Sequence, residues 1–133
     1  MEISSPPIFD FQPIKSHLNR SPKELLHQVE GEKVWKWIKN ESNEGLISFT
    51  HREGAFHINI EQEKGKGFQA SLPEYFEAWF DLKRDLAAFY KQVEEDGLLA
   101  PLTRELYGLR VVGVPDLFEA LSWAILGQQV NLS

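Results

Sequence analysis

The most informative segment of the chain is Gly108-Leu-Arg-Val-Val-Gly-Val-Pro-Asp-Leu-Phe-Glu-Ala-Leu-Ser-Trp-Ala-Ile-Leu-Gly-Gln-Gln-Val-Asn-Leu132. Within it, Asp116 and Glu119 have the spacing of a capping box, in which each side chain binds a free backbone N–H group of the first helical turn. We therefore expect a helix that begins after Asp116. The stretch from Leu117 to Leu126 has only two polar side chains, so this helix is apolar nearly all round and we expect it to be buried.

The end of this helix is also marked in the sequence. Gly127 can adopt the left-handed conformation that closes a helix, which places Gln128 and Gln129 in the turn beyond it. Two long amide side chains then leave a hydrophobic element at a fixed point. Taken alone, such a pair is typical of an ordinary solvated turn.

The segment contains motifs of a known enzyme family. They are Gly108-Leu109-Arg110, Asp116-x-Phe118-Glu119 and Ala124-Ile125-x-Gly127-Gln128-Gln129-Val130, with two weaker motifs upstream, Phe56-His57-Ile58-Asn59-Ile60 and Phe80-Asp81-Leu82. Together they resemble the alkylpurine branch of the helix-hairpin-helix DNA glycosylases, of the DNA-3-methyladenine glycosylase II type. Only the terminal motif is specific, because a short motif carries weight only in its structural context.

The resemblance implies an activity in base-excision repair. Such an enzyme binds damaged double-stranded DNA, rotates an alkylated purine of the 3-methyladenine type out of the stack, and hydrolyses the N-glycosidic bond with no metal or organic cofactor. The family's hairpin and catalytic aspartate follow the Gln-Gln turn, beyond Ser133. We therefore expect no catalytic residue within this chain and no activity of the chain alone. An oxidised-guanine glycosylase of the same superfamily, which adds a lysine nucleophile, is the nearest alternative.

The resemblance also implies a role for the Gln-Gln turn. In the family, the residue after Gly-Gln enters the minor groove and fills the gap that the flipped nucleotide leaves. On this sequence that position is Gln129, with Gln128 beside it. An inserted side chain offsets part of the free energy of unstacking, and an amide can also hydrogen-bond the orphaned base. Asp116 and Glu119 are expected to cap the helix rather than to act as a catalytic carboxylate pair.

Composition sets the broad class of the protein. The 133 residues include no cysteine, which excludes disulfides and thiolate metal sites, and the net charge is −6. The acidic balance opposes DNA binding, because lysine and arginine neutralise phosphate, unless a basic surface lies elsewhere in the enzyme. We find no apolar stretch that would span a membrane and no signal peptide. We therefore expect a cytoplasmic protein, and the resemblance implies a bacterial one that acts on the nucleoid.

The order of predicted elements indicates an α+β protein. They are a strand Ile8–Gln12, a helix Pro22–Gln28, three antiparallel strands Lys33–Asn40, Gly45–His51 and Gly54–Gln62, and helices Leu72–Trp79, 81–95 and Pro101–Tyr107. Because the composition changes from β-rich to helical near residue 81, we divide the chain into residues 1–80 and 81–133. The resemblance implies that the first part is similar to half of the TATA-box-binding-protein fold, and that the second contains the opening helices of an incomplete glycosylase domain.

Two further sets of side chains favour structural roles. They are the histidines at positions 17, 27, 51 and 57 and the tryptophans at positions 35, 37, 79 and 123. Although His51 and His57 could approach each other across a hairpin, the histidines have no carboxylate or cysteine at ligand spacing, so we expect no metal site. We expect the tryptophans to pack in the core rather than to stack on bases.

A second hypothesis belongs to a different class, an acidic α+β interaction module with no role on DNA. The helix from Leu117 to Leu126 distinguishes the two hypotheses. An independent module would bury this helix in its own core, whereas part of an enzyme would leave it uncovered and prone to self-association.

Overall fold

A computed structural model of the protein describes residues 1–40 and 42–128. Within these residues the chain forms a five-stranded antiparallel sheet and five helices, which confirms the α+β class. The strands are β1 (Glu2–Ser4), β2 (His27–Glu30), β3 (Lys33–Lys39), β4 (Glu44–Arg52) and β5 (Ala55–Lys64). The helices are α1 (Phe11–Leu18), α2 (Phe68–Phe80), α3 (Ala87–Val93), α4 (Leu99–Glu105) and α5 (Leu117–Leu126).

The sheet has the strand order β1-β5-β4-β3-β2, and every neighbouring pair is antiparallel. The three central strands were predicted from the alternation of apolar and polar residues, and all three are confirmed. Between β4 and β5, Arg52 pairs with Ala55 and leaves Glu53 and Gly54 as a two-residue turn. Both turn residues have positive φ, 54° and 74°, as a tight hairpin of this type requires.

Helices α1 and α2 cover one face of the sheet, and the core lies between them and the strands. Alternate strand residues point into it, so Val34 and Ile38 of β3 are buried. Its centre is a group of four phenylalanine rings whose centroids all lie 5.0 to 5.9 Å apart, formed by Phe49, Phe56, Phe76 and Phe80. The core cluster extends from Phe11 to Leu82, and we refer to residues 1–82 as the sheet body.

The prediction of an opening strand at Ile8–Gln12 is wrong. Asp10 caps α1, because its carboxylate accepts the backbone N–H of Gln12 at 2.9 Å. Pro13 therefore lies in the first helical turn, where a missing N–H carries no penalty. The first strand of the sheet is instead β1, which pairs with β5.

The prediction of a helix at Pro22–Gln28 is also wrong. The Ser-Pro start signal produces only a bend, in which the Glu24 carboxylate accepts the N–H groups of Leu25 and Leu26 at 3.0 and 2.9 Å. The chain then enters β2, whose backbone pairs with β3. Pairing with the next strand across the two-residue turn at Gly31 and Glu32 overrides the local start signal here.

Helices α2, α3 and α4 differ from the predicted helices in length or in position along the chain. Asp81 adopts a left-handed conformation with φ of 51° and ends α2, so the helix expected from residue 81 begins only at Ala87. At its other end α2 begins at Phe68, four residues before the predicted start, because the Phe68 ring is buried over Gly45. None of the helices in residues 1–40 and 42–128 combines the length and apolar character needed to cross a membrane.

Candidate functional site

The candidate site is α5 with the turn that follows it and the loop that precedes it. Helix α5 begins where the sequence predicted, since the Asp116 carboxylate accepts the backbone N–H of Glu119 at 2.7 Å. The Glu119 side chain faces the sheet, and its carboxylate lies 3.8 Å from the Lys36 ammonium group. The first turn of α5 is thus capped at its start and tied to the sheet one turn later.

The apolar surface of α5 is largely exposed, so the expectation that the described chain buries this helix is wrong. Leu117 is 72% exposed, Phe118 81% and Ile125 66%. Leu121, Trp123 and Leu126 are also exposed, and none of the helix residues is fully buried. An apolar helix of this kind is stable in water only when another surface covers it.

The described part of the turn after α5 lies at the surface. Gly127 has φ of −65° and continues the right-handed helical conformation, so the predicted left-handed closure is wrong. Its N–H donates to the Trp123 carbonyl at 2.8 Å, and Gln128 is exposed. Gln129, the predicted wedge residue, lies outside the described residues.

Gly108 joins the loop before α5 to the start of α1 and to α3. Its φ is 85°, and an added Cβ would lie 2.7 Å from the Asp10 nitrogen, so only glycine fits without strain. The Gly108 carbonyl accepts the Asp10 N–H at 2.9 Å, and its own N–H donates to the Tyr90 hydroxyl at 2.8 Å. The glycine of the Gly108-Leu109-Arg110 motif therefore permits a close backbone contact with the start of α1.

Gly113 makes a second close contact, with the end of α2. Its N–H donates to the Trp79 carbonyl at 2.8 Å. An added Cβ would meet the carbonyl oxygen of Ala78 well inside van der Waals contact. The glycine spacing of the loop thus reflects two points at which it lies flat on the sheet body.

Arg110 completes the attachment of this loop. Its guanidinium group is buried and donates to three backbone carbonyls: twice to Ile8, at 3.1 and 2.9 Å, and once each to Asp81 and Arg84, at 2.6 and 2.7 Å. These partners belong to the N-terminal segment and to the junction after α2. The sequence motif contained Arg110 but offered no sign that it holds three distant segments together.

Lys36 is the main electrostatic feature beneath α5. Only 6% of its side chain is exposed, and burial lowers the pKa of the ammonium group, while the carboxylates of Glu119, Glu24 and Asp116 oppose that shift. Lys36, Glu119, Trp79 and Trp123 line a cavity of 160 Å³ between α5 and the sheet. Burial also raises the pKa of the nearby Tyr75 phenol, and the carboxylates of Glu119 and Asp116 raise it further.

Half of the histidines and tryptophans line the cavity beneath α5, namely His17, His27, Trp79 and Trp123. His51 and His57 occupy neighbouring positions on β4 and β5, and burial followed by the charge of His57 lowers the pKa of His51. In the described part of the chain, no group of three or more potential ligands is placed to hold a metal ion. Core packing of the tryptophans is confirmed only for Trp79, since Trp37 and Trp123 are each 48% exposed.

Residues 15–121 match the protein family described as 8-oxoguanine DNA glycosylase, N-terminal domain. The matched range runs from α1 into α5 and covers most of the chain. The chain belongs to this glycosylase N-terminal domain family. The resemblance inferred from the motifs is thereby confirmed at the level of the family.

Two glycosylases are similar to the chain, one in sequence and one in structure. The chain is 35% identical to a DNA-3-methyladenine glycosylase of Bacillus subtilis (strain 168), over 98% of the chain and 45% of that protein. Its fold is similar to part of a solved 3-methyladenine DNA-glycosylase from Archaeoglobus fulgidus, with a TM-score of 0.73 and 16% identity over 99% of the chain and 45% of that protein. The chain therefore spans about half the length of the relatives it matches.

Proposed function

We propose that this chain is the N-terminal part of a DNA glycosylase that excises alkylated purines of the 3-methyladenine type from duplex DNA. The proposal is supported by the family match and by 35% identity to a DNA-3-methyladenine glycosylase. The observation that carries it is the exposed Gln128 at the tip of α5, a helix fixed to a packed body at its other end. An oxidised-guanine enzyme, which the family's description names, is the alternative.

The chain supplies the scaffold and the probing turn of this enzyme, and the chemistry resides outside it. We expect residues 1–80 to form one domain and residues 81–133 to open the next, as the sequence indicated. The end of α2 at Phe80 supports that boundary. Gln129 enters the minor groove with Gln128 beside it, while Asp116 and Glu119 hold the helix rather than the substrate. No cofactor takes part in the bond cleavage.

The substrate assignment has a direct test. The complete enzyme is incubated with duplexes containing 3-methyladenine or 8-oxoguanine, and the released base is measured by chromatography. We expect release of 3-methyladenine by the complete enzyme and none by the 133-residue chain. Release of 8-oxoguanine alone would support the alternative, and excision by the isolated chain would contradict the proposed division of labour.

The wedge assignment has a separate test in the complete enzyme. We expect Gln129→Ala to weaken binding to a duplex with an abasic-site analogue by about tenfold, because the gap in the stack is no longer filled. The melting temperature should not change. Gln62→Ala, on an exposed position of β5, is the matched control and should bind normally. Equal affinity of Gln129→Ala and the wild type would end the wedge assignment.

The exposed α5 also supports a proposal about the isolated chain. An independent interaction module would cover Leu117–Leu126 with its own core, and the described chain leaves these residues exposed. This favours the glycosylase reading over a free-standing module. It also leads us to propose that the isolated chain self-associates through this helix.

A further inference from the structure

Lys36 occupies a position where the strand pattern calls for an apolar residue. It lies on β3 between Val34 and Ile38, and all three side chains are buried on the face of the sheet that the helices cover. A lysine at such a position loses most of its hydration, which costs free energy unless its ammonium group finds partners. The partners of Lys36 therefore indicate what the residue does.

Those partners come from three different elements. The ammonium group donates to the Leu26 carbonyl at 3.3 Å, lies 5.2 Å from the centre of the Trp79 ring, and pairs with Glu119 at 3.8 Å. Among the described residues, this is the only ion pair that joins the sheet to α5. The amine is directed at protein groups, so the arrangement is a link between elements rather than an open ligand site.

The ion pair between Lys36 and Glu119 gives α5 a second point of attachment, one turn after its start. The preceding loop attaches the start of the helix to α2, because the Gly113 N–H donates to the Trp79 carbonyl, and one point of attachment fixes a position but not a direction. Glu119, one turn later, supplies the second point. Without that second point the helix would pivot at its start: Gln128 lies twelve residues beyond Asp116, or about 18 Å along a helix, so a tilt of roughly 20° would displace the tip by about 6 Å.

We propose that Lys36 is a positioning residue, whose ion pair with Glu119 fixes the direction of α5 on the sheet and therefore the place where the Gln-Gln turn meets DNA. The inference rests on the proposed function and adds a residue to it that does not touch DNA. A displacement of a few ångströms at a probing side chain is enough to lose productive geometry. The exposed face of α5 supplies little packing of its own to correct such a displacement.

The structural part of this proposal is tested on the chain itself, by measuring the direction of α5. Because the chain has no cysteine, spin labels can be placed on Asn59→Cys in β5 and Ile125→Cys in α5, both exposed positions. Pulsed electron resonance at low protein concentration gives the distance distribution between them. We expect Lys36→Met and Glu119→Gln to shift or broaden this distribution by about 5 Å.

Lys33→Met is the matched control. Lys33 lies on the same strand and, like Lys36, sits over a tryptophan ring, at 5.1 Å from Trp35, but it has no ion pair with α5. We expect its distance distribution to equal that of the wild type. Glu119→Gln alters a side chain that is 22% exposed and keeps the core unchanged, so the test stands even if Lys36→Met folds poorly. Unchanged distributions in both variants would overturn the proposal.

The functional part is tested in the complete enzyme with the abasic-analogue duplex. We expect Lys36→Met to weaken binding about fivefold in the wild type and to have no further effect in Gln129→Ala, because both changes remove the same contact. Equal losses in the two backgrounds would mean that Lys36 acts elsewhere and would contradict the coupling. If Gln129→Ala alone had no effect, the wedge assignment would fail, and the distance measurement would still decide whether Lys36 directs α5.

Discussion

Two phenylalanines summarise the difference between the sheet body and the helical segment that follows it (residues 83–128). Phe49 of β4 is completely buried and touches the aromatic rings of both covering helices, whereas Phe118 of α5 is 81% exposed. The sheet body therefore buries its own apolar side chains. The helical segment has similar residues on α5 without a described surface to cover them. Apolar residues therefore form a complete core in the sheet body, whereas on α5 they form an exposed surface that requires a partner.

The sharpest test of this difference is to truncate both rings. We expect Phe49→Ala to lower the free energy of unfolding by about 3 to 5 kcal/mol, because it leaves a cavity in a packed core. Phe118→Ala should change it by less than about 0.5 kcal/mol, since the ring is mostly in water. Urea unfolding followed by circular dichroism measures both. Similar losses in the two variants would show that α5 packs as tightly as the sheet.

Arg110 tests how firmly the two regions are joined. We expect Arg110→Met to destabilise the chain by about 2 to 4 kcal/mol, because four hydrogen bonds are lost and the carbonyls of Ile8, Asp81 and Arg84 lose their donor. Arg104→Met, at an exposed position of α4, is the control and should be nearly neutral. A stability of Arg110→Met equal to that of the control would mean that the loop is not held by this residue.

A smaller effect is expected where the loop lies flat on α2. Gly113→Ala places a methyl group against the Ala78 carbonyl, and we expect a loss of about 1 to 3 kcal/mol as the loop moves away. Gly97→Ala provides the comparison, since an added methyl group there meets nothing within 4 Å. Thermal unfolding of the two variants separates the cases. Equal melting temperatures for Gly113→Ala and Gly97→Ala would show that the close contact does not contribute to stability.

The sequence predicted the elements whose signals are local. Strands β3 to β5 alternate clearly, and the Asp116 cap marks the start of α5. The short elements near the N-terminus were predicted wrongly for different reasons. Helix α1 begins at a local cap on Asp10, β1 pairs with the distant β5, and β2 pairs with the adjacent β3. The Ser21-Pro22 signal favoured a helix, but the chain that follows gains more from pairing with β3.

The supporting residues of the candidate site could not be found in the same way. Arg110 bonds to Ile8, 102 residues away, and Lys36 meets Glu119, 83 positions later. Nothing in the sequence around Arg110 or Lys36 indicates that the side chain contacts a residue so far away. From the sequence alone, a lysine in a strand is predicted to be exposed to solvent, so the burial of Lys36 could not be foreseen. The apolar face of α5 was visible in the sequence, but periodicity does not reveal which polypeptide covers a face.

The central claim is that α5 presents an apolar face which residues 1–40 and 42–128 do not cover. Light scattering of the isolated chain over a range of concentrations tests it directly, with Phe118→Glu as the variant that adds a charge to that face. We predict a mass that rises with concentration for the wild type and a monomer for Phe118→Glu. A stable monomer of the wild-type chain at the highest concentration would contradict the claim and favour an independent module.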